Sequence, residues 1–261
     1  MLQAVIHHKI NPAISDGTFR PIEDTLTSSV IGLMQYLPED LFWRILKNAC
    51  GRSSRDLPES VGPIKEFVFW DHLDATGTSN SKMVEPDVLV ESEEYDIIVE
   101  AKRSDNSADN SQNEQQWSNQ IIALRNSYDD ESPKPLIYIA IGGNESLKDS
   151  SVVIDGQDYV IHTASWYNLL NCVLNELMGS DSEPHPAYIR RVLQDIIRAL
   201  QVHRFIKTTW FDSLPRVSIS EGTDSALNKF WDFDNQLMLA AINQQQITNE
   251  LDLQRIWTIA K

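Results

Sequence analysis

The run Leu136-Ile137-Tyr138-Ile139-Ala140-Ile141, closed by Gly142-Gly143, narrows the choice of fold more than any other stretch. Consecutive apolar residues leave no polar face, so a strand built from them is buried on both sides. Such a strand needs a sheet with helices packed against each face. The flanking sequence supplies them. Leu26, Val30, Leu33, Met34 and Leu37 recur at helical spacing over 24–37, and Asp24 or Thr25 can cap the start. Pro38 stops that helix, and Pro38-Glu39-Asp40 opens a second, with Leu41, Phe42, Ile45 and Leu46 inward and Gly51 at its end. Three more helices are expected over 112–126, from Ser165-Trp166 onward, and over 187–203. Ile64 to Trp70 reads as a further strand, 52–62 as a polar loop, 71–82 as a turn-rich connection and 179–186 as a linker. Val152–Ile154 and Tyr159–His162 compete for the last strand, and the second is favoured. The fold class is therefore α/β, a central mixed β-sheet flanked by helices, with a helical extension at the C-terminal end.

Two further strands carry acid where a strand has no need of it. They are Glu85-Pro86-Asp87-Val88-Leu89-Val90 and Asp96-Ile97-Ile98-Val99-Glu100-Ala101-Lys102, joined by the turn Glu91–Glu94. Strands are poor in Asp and Glu. Side chains at i and i+2 share a face, so Glu100 and Lys102 project together. Paired as a hairpin, the two strands bring Asp87 beside Glu100. Two carboxylates and an ammonium then converge at a sheet edge. Carboxylate oxygens suit a hard divalent cation such as Mg²⁺, which keeps positions open for water and phosphate oxygens. A lysine beside it can orient or deprotonate a water. The other reading of the same residues is a surface hairpin with a solvated Glu100–Lys102 pair.

Pro86-Asp87 followed by Glu100-Ala101-Lys102 resembles the signature of the PD-(D/E)XK nuclease superfamily, the restriction-endonuclease-like fold. The resemblance implies a Mg²⁺-dependent phosphodiesterase, Mn²⁺ being able to substitute. Asp87 and Glu100 would hold the metal, helped by the Ala101 carbonyl, and Lys102 would position or activate the attacking water. Glu23, in Ile22-Glu23-Asp24-Thr25-Leu26-Thr27-Ser28, is similar to the glutamate that many members carry on their first helix. An acid favouring the helix dipole explains it nearly as well. Gln120 matches the glutamine that members place on the next helix to steady the lysine or a phosphate, with Gln116 second; a solvated helix face is the alternative. The implied substrate is DNA and the implied setting a prokaryotic defence or restriction system. RNA cleavage, or a silent nuclease-fold scaffold kept for binding a partner, are the competing expectations.

Charge limits how such a protein grips its substrate. The chain has 261 residues and a net charge of −16, so phosphate neutralisation must come from a local patch or from a partner. The best strip for that is the polar face of the helix over 187–203, which carries Arg190, Arg191, Arg198 and Arg204 with Lys207 just beyond, although solvated arginines on an amphipathic helix read the same way. Domain organisation is expected as 1–214, the nuclease-like domain, and 215–261, a helical tail. Leu227, Phe230, Trp231, Leu237, Ile256 and Trp257 make that tail apolar enough to dock on a partner or a second copy. Residues 1–19 suggest a strand or extended arm. There is no zinc-spaced Cys/His cluster, phosphate loop, membrane-length apolar run or secretory-type N-terminus. Cys50 and Cys172 fit buried thiols of a reduced cytoplasmic protein.

Overall fold

Helix α1 (Glu23–Met34) and helix α2 (Glu39–Ala49) lead through a 3-10 turn at Gly51–Asp56 to strand β1 (Ile64–Phe69). A two-residue ribbon, β2 (Leu73–Asp74) with β3 (Met83–Val84), precedes the hairpin β4 (Val88–Ser92) and β5 (Asp96–Ala101). Then come α3 (Glu114–Asn126), β6 (Leu136–Ile141), β7 (Ser150–Ile154), β8 (Gln157–Ala164), α4 (Trp166–Met178) and α5 (Ala187–Val202). These assignments come from a computed structural model that describes residues 21–80, 82–106, 111–128, 133–144, 148–179 and 185–206, with Ala4 and Ser146. The described residues all belong to one unit, Met1–Thr208. The expected irregular segment 208–223, the helical tail 215–261 and the boundary at 214 lie outside them.

Six strands form one mixed sheet in the order β1-β4-β5-β6-β8-β7. β1, β4 and β5 run antiparallel, β6 and β8 continue parallel to β5, and β7 pairs antiparallel with β8 at the edge. Val88 stands opposite Val99, which sets Asp87 beside the end of β5. The pleat then divides the apolar residues. Val88, Val90, Ile97, Val99, Ala101, Ile139 and Ile141 face the core shared with α1, α2, α4 and α5. Leu89, Ile98, Tyr138, Ala140 and Ile161 face α3 and the ribbon. β6 is buried on both faces from Ile137 onward, as its unbroken apolar run requires.

Helix α1 is the central helix. Thr25 to Gly32 are all buried, and Met34 with them. Two of its buried serine hydroxyls find partners, while that of Thr27 has none among the described residues: Ser29 Oγ donates to Thr25 O at 2.6 Å, and Ser28 Oγ accepts the Ala4 N–H at 2.9 Å. Thr25 closes the start by exchanging hydrogen bonds with the backbone of Ile22. Leu200, Ile196, Leu193 and Ile189 of α5 are the stripe that packs the core, at the expected spacing.

Four readings of the sequence need correction. The stretch 52–62 is not all loop, because Gly51–Asp56 winds into a 3-10 turn without apolar periodicity to betray it. Both 150–154 and 157–164 are strands, and the first, paired on one side only, becomes the sheet edge. Ala4, the one described residue of 1–19, is helical rather than extended. Cys50 is buried, but Cys172 is only half-buried; both are free.

Candidate active site

Three chain segments supply three carboxylates to one point. Asp87 follows Pro86 in the bend before β4, Glu100 is the last residue but one of β5, and Glu23 is the first residue of α1. Asp87 and Glu100 keep the parity of Leu89 and Ile98 and so lie on the α3 side of the sheet, while Glu23 arrives from the layer on the other side. One carboxylate oxygen from each lies within 4.8 Å of the others. Among the described residues no other group of three such side chains converges in this way. Asp87 and Glu100 are 7% and 1% exposed, and Lys102 is 6% exposed.

Lys102 Nζ sits among these acids. It donates to Glu100 Oε1 at 2.5 Å and to the Ala101 carbonyl at 3.1 Å, and lies 3.6 Å from Glu23 Oε1. Burial alone would lower its pKa, but Glu100, Glu23 and Asp87 outweigh that and hold it raised, as an ammonium. The acids are in the opposite position. Burial, then the charges of Glu100 and Glu23, push Asp87 well above the ordinary carboxylate range. Burial also raises Glu23, against the pull of Lys102. Among the described residues, Lys102 is the cation brought to these three carboxylates.

Each acid is nonetheless aimed by named donors. Asp87 Oδ2 accepts the Ala101 N–H at 2.8 Å and Oδ1 the indole N–H of Trp70 at 3.1 Å. Glu100 accepts from Gln116 and Gln120 Nε2, each at 2.7 Å, on separate oxygens. Glu23 Oε2 accepts the Arg103 N–H at 3.2 Å. Tyr138 donates its hydroxyl to Gln120 Oε1, which fixes the amide with its NH₂ toward Glu100. Asn113 caps α3 by accepting from the N–H groups of Gln115 and Gln116, which sets the rotation of both glutamines. The end of β5 is clamped as well. The Lys102 carbonyl accepts from Trp166 Nε1 at 2.7 Å, and Gln112 Nε2 donates to Glu100 O at 3.2 Å. Gly142 makes the clamp possible: at φ +74° it lies so close that a Cβ would meet Lys102 O at 2.5 Å.

Asp87, Glu100, Lys102, Glu23, Gln120 and Gln116 therefore all meet. The glutamines serve Glu100 rather than the lysine. The Ala101 carbonyl opens to the same space, since it accepts from Lys102 Nζ. Of the arginine strip only Arg204 comes near them, lining one cavity with Glu23. Arg190 and Arg191 are exposed near the start of α5, and its other end approaches Glu23, roughly 20 Å away at 1.5 Å per residue. Arg198 pairs with Asp195 at 2.8 Å. Tyr138 escaped the sequence reading, and Trp70, placed there at the end of a strand, both packs in the core and binds Asp87. Tyr138 carried a usable signal, because a hydroxyl in an otherwise aliphatic buried strand needs a buried partner.

No protein-family model matches the chain. The chain is similar to an uncharacterized protein of Pasteurella multocida (strain Pm70), 25% identical over 242 residues that span 84% of this chain and 87% of that protein. Among the described residues no helix is long and apolar enough to cross a membrane.

Proposed function

We propose that this protein is a metal-dependent nuclease that hydrolyses phosphodiester bonds of DNA. One observation carries the reading: Asp87 and Glu100, both buried, and the half-buried Glu23 converge from three segments around Lys102. An all-carboxylate donor set fits a hard divalent cation, Mg²⁺ with Mn²⁺ as substitute, and Glu23, Asp87, Glu100 and the Ala101 carbonyl would hold it. When bound, such an ion polarises a phosphoryl oxygen and lowers the pKa of a water. The chain's own residues do the rest. Trp70 and the Ala101 N–H hold Asp87 in one rotamer, and Gln116 and Gln120 hold Glu100, so little reorganisation remains during reaction. Lys102, an ammonium within reach of two of the acids, positions the attacking water and stabilises charge that develops on the phosphate.

From the resemblance alone we infer the setting, the cytoplasm of a prokaryote, as the nuclease component of a defence or restriction system. The test is cleavage of plasmid, single-stranded DNA and labelled RNA with Mg²⁺ or Mn²⁺, comparing the wild type with Asp87→Ala and Lys102→Ala. Metal-dependent DNA cutting lost in both variants is the expected result. Cutting that survives both, or no cutting of any substrate, rejects the assignment, and RNA cutting alone moves it to a ribonuclease.

A further inference from the structure

Next to the acids a cavity of about 690 Å³ opens where three segments meet: the start of α1 with Glu23, the stretch after β5 with Arg103 and Ser104, and the end of α5 with His203, Arg204 and Phe205. Its volume is that of a small-molecule site, far more than one phosphate needs. Its lining is mixed in a telling way. Arg103 and Arg204 bring two permanent cations to one opening of a strongly acidic protein. Phe205 is half-buried, with its ring 6.3 Å from that of Trp166, the residue that also binds the Lys102 carbonyl. Glu23 belongs to both the cavity and the acid cluster, so whatever fills the one reaches the other.

The backbone adds an independent observation. The Phe205 N–H reaches Leu200 O and the Arg204 N–H reaches Gln201 O, both at 2.9 Å, which is the Schellman closure of a helix. Its left-handed position is normally glycine, yet Arg204 occupies it at φ +73°. A cation favours a helix C-terminus, but an arginine one turn earlier would do that without strain. A strained side chain kept where glycine fits better argues for a use of that side chain. The same closure turns Phe205 back toward the cavity.

We propose that this cavity is a subsite for one unpaired nucleotide flanking the bond to be cut, with Arg103 and Arg204 on its backbone phosphate and Phe205 stacked on its base; this rests on the nuclease reading. Basic groups that track the backbone beside an aromatic platform are the pattern of single-strand binding. A base inside a duplex has both faces already stacked, so Phe205 selects strands that are single or splayed. The substrate class is then single-stranded DNA, or the unpaired arm beside a junction.

The test uses the full chain carrying Asp87→Asn, binding a labelled ten-nucleotide oligo-dT, its duplex with oligo-dA, and dTMP, across a salt series. Single-stranded DNA binds more tightly than duplex, and dTMP, lacking neighbouring phosphates, binds weakest. Arg204→Gly, which removes the strain, raises Tm while weakening oligonucleotide binding, and Arg103→Ala weakens it too. Each arginine lost shallows the slope of log affinity against log salt by about 0.7. Phe205→Leu weakens binding about five- to 150-fold, the range of a base–aromatic stack, and leaves the salt slope unchanged. Duplex bound as tightly as single strand, or Arg204→Gly raising Tm with affinity unchanged, overturns the subsite even if the wild type cuts. Loss of binding in these variants with no cutting by the wild type under any metal keeps a nucleotide site and rejects the nuclease.

Discussion

Two polar clusters tie distant segments of this fold together, and the number of acids in each separates them. In the first, Glu23, Asp87 and Glu100 surround one Lys102. In the second, Ser53 of the 3-10 turn, Asp149 before β7 and His162 on β8 meet one another. The second holds a single acid, and the Ser53 hydroxyl and the Thr163 N–H both donate to it. Burial lowers the His162 pKa against the pull of Asp149. Serine, histidine and aspartate together suggest a hydrolase triad, but hydroxyl and carboxylate approach the same ring nitrogen, Nδ1, at 3.3 and 3.4 Å. A triad needs them on opposite nitrogens, so that the ring can pass a proton between its two sides. The cluster with one acid ties the turn to the sheet. The other gathers three carboxylates about one lysine.

The largest effect that can break this contrast is on cleavage. Asp87→Ala and Lys102→Ala should each lower metal-dependent cutting by at least roughly 10²-fold, the loss seen when one preorganised group is removed from a charged transition state. Ser53→Ala should leave it within about two-fold while lowering stability by about 1 kcal/mol, the worth of an ordinary hydrogen bond. A cleavage time course on single-stranded DNA and on plasmid with the three variants decides. Loss of activity in Ser53→Ala, with Asp87→Ala intact, would reverse the two roles.

Next comes the clamp on which the first cluster depends. Gly142→Ala puts a Cβ against the Lys102 carbonyl at a left-handed φ, so either β5 or the turn must move. We expect a loss of about 1–3 kcal/mol in urea denaturation, the cost of such strain, and a fall in cleavage with it. Unchanged cleavage would mean that the end of β5 does not set the position of Lys102.

Much of this contrast was written in the chain. Asp87, Glu100 and Lys102 stood out because acids in apolar strands are costly unless they serve a purpose, and the pleat then fixed their common side. The helices showed themselves through periods such as Ile189, Leu193, Ile196 and Leu200. What stayed hidden depends on contacts between distant segments. Nothing local tells that Trp70 donates to Asp87, or that Arg204 comes to lie across a cavity from Arg103. The ribbon of β2 and β3 has two residues per strand, too few to display alternation. The strip along α5 offers Arg190, Arg191, Arg198 and Arg204 alike, and charge along one helix does not reveal which of its ends meets the acids.

A smaller effect concerns the cation itself. If the first cluster is short of positive charge, a divalent ion should stabilise the fold, and at a concentration 100 times its dissociation constant the gain is about 2.7 kcal/mol. For a domain of this size that is a rise in Tm of roughly 5–10 °C. Mg²⁺ and Mn²⁺ titrations followed by differential scanning fluorimetry should show it in the wild type and lose it in Glu100→Gln. An equal rise in both would place the stabilising ion elsewhere.

The finest test is the sign of the pH dependence, which should be opposite for the two clusters. Without metal, Asp87 has a folded pKa raised above its ordinary 3.8. Between those two values the folded state holds the extra proton, so this contribution is fully present below about 3.8 and is lost as pH rises through the folded pKa. His162 is lowered from 6.5. Here the unfolded state holds the extra proton, and stability is lost as pH falls below 6.5 toward the folded value. The offset that each substitution adds through lost hydrogen bonds is constant with pH, so only slopes matter. Between about pH 4 and 6.5, the stability of wild type minus Asp87→Asn should fall with rising pH, while that of wild type minus His162→Asn should rise. Urea midpoints at five pH values in a chelating buffer measure both. Slopes of the same sign would mean that burial and neighbouring charge do not distinguish the two clusters, and the case for a cation site at the first would lose its electrostatic footing.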